Sequence, residues 1–232
     1  MKYDKISADD PRAERELRRR EEIRRAILDA AEKIIIIKGY TAMTMDDVAR
    51  EAGLSKATLY KYISSKGLIL FEIVSHYLDM EREKIRGIAD SEARASEKLR
   101  AIIAEIVGFH RAKCNIARIL LMDKSTFHIL RLIYGGDVKA ANEQFYRKLN
   151  VLKRKSLEIS KLIARIIEEG VASGEFRPVD PMETVFIIDS LLSGTNHPRL
   201  WQNGLAGLPA DELSEKIFAF IYSSLRKQKD ES

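Results

Sequence analysis

Thr44–Lys66 reads TMDDVAREAGLSKATLYKYISSK. Thr44 with Asp47 three residues on resembles a capping box, with Asp in place of the usual Glu. Asp46 and Asp47 set negative charge where a helix N-terminus favours it. Val48, Ala49 and Ala52 fall on one face of the helix that follows. Gly53 supplies the positive φ that a tight turn needs. Leu54 reads as a buried plug, and Ser55 as the N-cap of a second helix. In that helix Leu59 and Ile63, four apart, face inward, leaving Lys56, Thr58, Tyr60, Lys61 and Tyr62 on the other faces. Two short helices joined by a glycine bend form the layout that lays a helix in the DNA major groove.

Upstream, Ile23, Ala26, Ile27, Ala30, Ala31, Ile34 and Ile35 follow the i, i+3, i+4 spacing of an amphipathic helix. Gly39 is expected to stop it in the left-handed conformation, with Tyr40 folding back as the hydrophobic contact. Before it, Arg12–Arg25 holds seven arginines against four glutamates. Pairs such as Glu14–Arg18 and Glu16–Arg20 suit a solvated helix face. The same arginines suit an arm along phosphates, and the residues leave both readings open. Met1 to about Pro11 is polar and reads as loose.

Downstream the periodicity stays helical. A helix from Ser65 carries Leu68, Phe71, Val74, Tyr77 and Leu78. Further helical stretches are Leu99–Phe109, Ile116–Met122 and Thr126–Tyr134, broken at Gly135-Gly136. From about Lys139 to Ala172, Phe145, Leu149, Leu152, Ile159, Ile163 and Ile166 alternate spacings of four and three, with Ser156 in the gap, as in a seam against another helix. Gly174 ends this segment and Phe176 can close the cap. Asp180 caps a new helix with Pro181 first and Glu183 three residues after the cap. Its apolar positions are Val185, Ile188, Leu191 and Leu192. A last helix from about Ala210 turns Leu213, Ile217, Phe220, Ile221 and Leu225 inward. No strand-like alternation of useful length occurs, so the fold class is all-α.

The 232 residues carry a net charge of +5 and are 45% hydrophobic, enough for a sizeable core and mildly basic. That balance permits nucleic acid as a partner. The single cysteine, Cys114, has no internal partner and no zinc-type spacing around it. No apolar run approaches a membrane span, so the expectation is a cytoplasmic protein without a membrane partner. His76, His110, His128 and His197 are scattered without a nucleophile or metal motif. Neither catalytic residues, nor a metal site, nor a cofactor is expected, and the chain does not read as an enzyme.

The residues RRAILDAAEKIIIIKGYTAMTMDDVAREAGLSKATLYKYISSK resemble the N-terminal domain of TetR-family transcriptional regulators. The likeness covers about Arg20 to Tyr77. It rests on Gly39-Tyr40, Thr44, Asp47-Val48-Ala49, Ala52-Gly53, Ser55, Leu59-Tyr60, Tyr62 and Lys66. Ile63 stands where many members have an aromatic residue, and Gly67 where many have an acid. The resemblance implies a flexible basic extension over 1–19, a helix-turn-helix domain over 20–80 and a helical regulatory and dimerisation domain over 81–232. It implies a homodimer through the helices near 139–172 and 181–195, bound to double-stranded DNA at a pseudo-palindromic operator. By the same resemblance Thr44, Tyr60, Tyr62 and Lys66 are phosphate contacts.

Ser55, Lys56, Ala57, Thr58 and Lys61 complete the expected DNA-binding set, because lysine can donate to guanine and Thr or Ala methyls can meet a thymine methyl. The expected function is repression relieved by a hydrophobic or amphipathic small molecule. The alternative is a same-fold structural or checkpoint protein, or an activator, without such an effector. Candidate effector contacts are Phe109, His110, Phe127, His128, Tyr134, Phe186, His197 and Trp201.

Overall fold

Helical periodicity dominates the architecture. The computed structural model describes residues 11–112, 143–194 and 207–227, and among them there are eight helices and no strand. They are α1 (Pro11–Ala42), α2 (Met45–Glu51), α3 (Lys56–Tyr62), α4 (Lys66–Ala89), α5 (Ala95–Ala112), α6 (Glu143–Ala172), α7 (Pro181–Gly194) and α8 (Ala210–Leu225). The chain divides within α4, between Ile73 and Val74, into two compact units.

The first unit is built on α1, whose apolar stripe buries Ile27, Ala30, Ala31 and Ile35. Gly39 kinks this helix at φ 81°, ψ 160°. The expected stop is therefore a bend: one more helical turn follows, and Tyr40 and Met43 turn into the core. Val48 and Ala49 of α2, Leu59 of α3, and Ile63 complete the core with Ile69, Leu70 and Ile73 of α4. The α4 phase differs from the expected one. Leu68 and Phe71 are only half-buried, while their neighbours are fully buried. The run Leu68–Val74 is apolar nearly all round, so spacing alone could not say which face turns inward.

The second unit buries Ile85 and Ala89 of α4 with Leu99, Ile102, Ile103, Ile106 and Val107 of α5. The α6 seam contributes Ile159, Ile163, Ile166 and Ile167 to the same core. Asp180 caps α7 as expected, accepting from the Glu183 N–H at 2.8 Å. Val185, Ile188 and Leu192 of α7 point inward, as do Phe218, Ile221 and Leu225 of α8. Phe220, expected inside, is 64% exposed. Two residues on from the buried Phe218, Phe220 lies about 200° round the helix from it.

Gly174 takes φ +75° at the end of α6, and Phe176 folds back with its N–H on the Gly170 carbonyl at 2.9 Å. A Cβ on Gly170 would lie 2.1 Å from Phe176 Cδ2, so the ring occupies the space that glycine leaves. The Arg177 N–H donates to the Leu225 carbonyl at 2.8 Å, joining the turn to the end of α8. The expected helical stretches Ile116–Met122 and Thr126–Tyr134 lie outside the described residues.

Candidate nucleic-acid interface

The start of α2 is built by its two capping residues. The Asp47 N–H donates to Thr44 Oγ1 at 3.2 Å, and the Thr44 N–H donates to Asp47 Oδ2 at 3.0 Å. This is the reciprocal capping box that the spacing predicts. The Asp47 carboxylate also receives Lys38, and Arg50 at 2.8 Å. Donation from Lys38 and then from Thr44 holds its pKa far below the usual carboxylate range. Thr44 itself is exposed.

The α2–α3 turn is closed by backbone bonds. The Leu54 N–H reaches the Ala49 carbonyl at 2.8 Å and the Gly53 N–H reaches the Arg50 carbonyl at 3.2 Å. That pair of bonds is a Schellman closure, and Gly53 sits at φ +66° to permit it. Leu54 is half-buried rather than fully enclosed. Ser55 Oγ then accepts from the Thr58 N–H at 3.0 Å and caps α3.

With Leu59 and Ile63 buried, α3 turns Lys56, Ala57, Tyr60 and Lys61 to solvent, while Thr58 and Tyr62 are half-buried. Lys56 Nζ lies 2.7 Å from Asp46, and that hydrogen-bonded carboxylate raises the lysine pKa. The exposed face thus brings hydroxyl, methyl and amine groups together on one short helix. Lys66 is engaged within the unit: its ammonium donates to the Thr41 carbonyl at 2.8 Å and lies 4.4 Å from the Tyr40 ring centroid. It stands beside the bend that Gly39 makes, a coupling that sequence spacing did not reveal.

The second unit carries two polar features that the sequence reading missed. Along α4 and α6 runs a series of paired charges. Lys155 Nζ reaches Ser75 Oγ at 2.6 Å and Asp79 at 2.5 Å, Arg82 reaches Glu158 at 2.9 Å, and Arg165 reaches Asp90 at 2.5 Å. The buried Lys98 of α5 closes the end, on the Ala89 carbonyl at 3.0 Å and Glu169 at 2.8 Å. The signal was present as alternating signs at Asp79, Arg82 and Asp90 against Lys155, Glu158 and Arg165, 75–80 residues away and invisible to local periodicity.

The other feature is a set of like charges. Glu81 of α4 has its pKa pushed up to about 7, first by burial and then by Asp189 of α7 and Glu105 of α5. Asp189 is raised too, by the protein packed around it, although one side of the residue meets solvent.

Of the expected effector contacts, Phe109 is half-buried and stands edge-on to Tyr77, centroids 5.5 Å apart. Phe186 stands 73% exposed, which removes it from any enclosed lining of the chain by itself. Inward Val185 and Ile188 leave it on the far side of α7, beside exposed Met182 and Ile187. Phe127, His128, Tyr134, His197, Trp201 and the His110 side chain lie outside the described residues. Among the described residues no three His, Cys, Asp or Glu side chains are placed to hold a metal ion, and no helix is long and apolar enough to cross a membrane.

Residues 27–73 match the family model for bacterial regulatory proteins of the tetR family. An uncharacterized HTH-type transcriptional regulator of Bacillus subtilis, YhgD, is 27% identical over 191 residues, 80% of this chain and 91% of the relative. The HTH-type transcriptional repressor KstR2 of Mycolicibacterium smegmatis is 22% identical over 205 residues, 88% of this chain and 90% of the relative. Among solved structures, the transcriptional regulator FadR of Bacillus subtilis in complex with stearoyl-CoA superposes with a TM-score of 0.65 at 22% identity, covering 86% of this chain and 97% of that one.

Proposed function

From the premise that this chain is a DNA-binding transcriptional regulator of the TetR family, we propose that it acts as a homodimeric repressor released from a pseudo-palindromic operator by an apolar or amphipathic small molecule. Residues 20–80 form the DNA-binding domain of this reading and 81–232 the regulatory and dimerisation domain. The observation that carries it is the solvent-facing side of α3, which holds Lys56, Ala57, Tyr60 and Lys61 while Leu59 and Ile63 anchor the helix from behind. Lys56, Ala57, Thr58 and Lys61 read base edges. Thr44, Ser55, Tyr60, Tyr62 and Lys66 hold phosphates and set the register. Lys66 keeps the Thr41 carbonyl as a second partner, which aims its ammonium.

Dimerisation through α6 and α7 is supported by apolar side chains that the single chain leaves exposed: Leu157 on α6, and Met182, Phe186, Ile187 and Leu191 on α7. Met182, Phe186, Ile187 and Leu191 recur at helical spacing along α7, and exposed apolar side chains grouped in this way suit an association site. Such a dimer spaces its two readers by about 34–36 Å or a multiple.

The effector class is supported by the apolar side chains that α5 turns inward, Leu99, Ile102, Ile103, Ile106 and Val107, and by the FadR structure, whose own ligand is stearoyl-CoA. Relief requires that the ligand bind the two dimer shapes with different affinity. The test selects bound duplexes from a random pool, then adds long-chain acyl-CoA esters. A palindromic consensus lost on adding one ester supports the reading. Selection of no consensus refutes it, and a consensus indifferent to every apolar ligand leaves only the effector-free regulator.

A further inference from the structure

The first three turns of α1 are helix without tertiary cover: every residue from Arg12 to Glu22 is exposed. A helix of this length is marginal by itself in water. It gains some stiffness from continuity with α1 and from pairs such as Glu14–Arg18 at 3.6 Å and Glu16–Arg20 at 3.3 Å. Nothing in these turns serves the core, and Leu17 stands 59% exposed. Their charge leans basic instead, with five arginines against four glutamates from Arg12 to Glu22. Every basic residue from Arg12 to Arg25 is arginine, with no lysine among them. Arg12, Arg15 and Arg19 follow steps of three and four, which put them on one face. They span roughly 10 Å of helix at 1.5 Å per residue, comparable to about three phosphates of one DNA strand at 3.4 Å each.

Resting on the DNA-binding reading above, we propose that this arginine face is a second DNA surface, which binds backbone phosphates outside those held by Thr44 and α3. Charge complementarity selects the occupant. The guanidinium fork matches phosphate oxygens in pairs, and exposed carboxylate pairs on the same turns are weak enough for phosphate to displace. Distance sets the location. Arg12 and Lys38, the latter at the Thr44 end of α1 through Asp47, are separated by about 39 Å of helix. That is about one turn of duplex, so the arm and the cap of α2 meet different phosphates. The contact adds affinity and salt dependence without base preference.

The experiment compares the full chain with the triple variant Arg12→Gln, Arg15→Gln, Arg19→Gln on a duplex selected from a random pool. Glutamine keeps the helix propensity, and circular dichroism and melting temperature check the fold. The expected result is a salt slope shallower by about 2.7 for each arm, about 5.4 for the dimer, at roughly 0.9 per phosphate. The base consensus stays the same, and backbone protection is lost only at the flanks of the footprint. An unchanged slope and footprint overturn the proposal, as does a variant that keeps its DNA slope but loses binding to vesicles of anionic lipid. Thr44→Ala with Lys56→Ala runs alongside. If that pair leaves the consensus and affinity intact, the reader assignment fails; if it abolishes the consensus while the arginine variant changes nothing, the arm alone is refuted.

Discussion

Asp47 in the first unit and Glu81 in the second are both helix carboxylates, and their surroundings drive them in opposite directions. Asp47 collects donors: Lys38, Thr44 and Arg50 all aim at it, and its pKa falls. Glu81 meets burial and two other carboxylates, and its pKa rises to about 7. The first unit uses its acid as a mechanical part that fixes where α2 begins. The second unit holds its acid near neutrality, where a small change in environment alters its charge. One unit is built for a fixed shape and the other contains a group poised to respond.

The largest loss is expected from removing the first unit's rigid support. Leu59→Ala is expected to cost about 3 kcal/mol, because Leu59 is fully buried behind the exposed face of α3. Chemical denaturation should show it, with DNA affinity lost in parallel. Phe220→Ala, at an exposed site of α8, should stay within about 0.5 kcal/mol of the parent.

Acid and base sharpen the contrast. Glu81 binds its proton more tightly folded than unfolded, so its contribution is complete below its ordinary 4.5 and is lost as the pH climbs through about 7. Over that window the parent should lose about 2 kcal/mol after solvent screening is allowed for. Glu81→Gln should flatten that part of the stability profile. Asp47 has the opposite sign: its contribution is present above the ordinary 3.8 and is lost as the pH falls below it. Asp47→Asn should therefore lower the melting temperature at neutral pH, and the gap from the parent should close in acid.

Two smaller effects follow. Gly53→Ala forces a Cβ onto a backbone at φ +66° and should cost about 1–2 kcal/mol, although nothing lies within 4 Å of the new atom. A destabilisation below the effect of an ordinary surface change would show that the turn can re-form without a positive φ. Lys155→Met removes a partly buried ammonium from Asp79 and Ser75. It should cost about 1 kcal/mol, with the difference from the parent shrinking at high salt. Asp79→Asn, measured alone and with Lys155→Met, tests whether the two changes are coupled.

Much of the first unit was legible because its determinants are local. Thr44 and Asp47 are three residues apart, Ser55 caps within one turn, and Gly53 governs a bend that closes over six residues. The seam of α6 was legible for the same reason, at Leu152, Ile159, Ile163 and Ile166. Reading failed where several faces of a helix were apolar. In Leu68–Val74 the inward set is Ile69, Leu70 and Ile73, and in α8 it is Phe218 rather than Phe220. Phe186 was read as a lining residue on its aromatic character, and packing turned it outward.

Sequence alone determined the helical class, the glycine bend, both caps and the chemical groups of α3, since each depends on residues within about two turns of one another. Tertiary structure decided which side of α4 and α8 is core, that Lys66 is anchored on Thr41, that Lys155 reaches α4 and Arg165 reaches Asp90 just beyond it, and that Glu81 shares its surroundings with Glu105 and Asp189. Those outcomes depend on side chains brought together from far apart in the chain, and a pKa or a buried face belongs to that assembled environment, not to the residue.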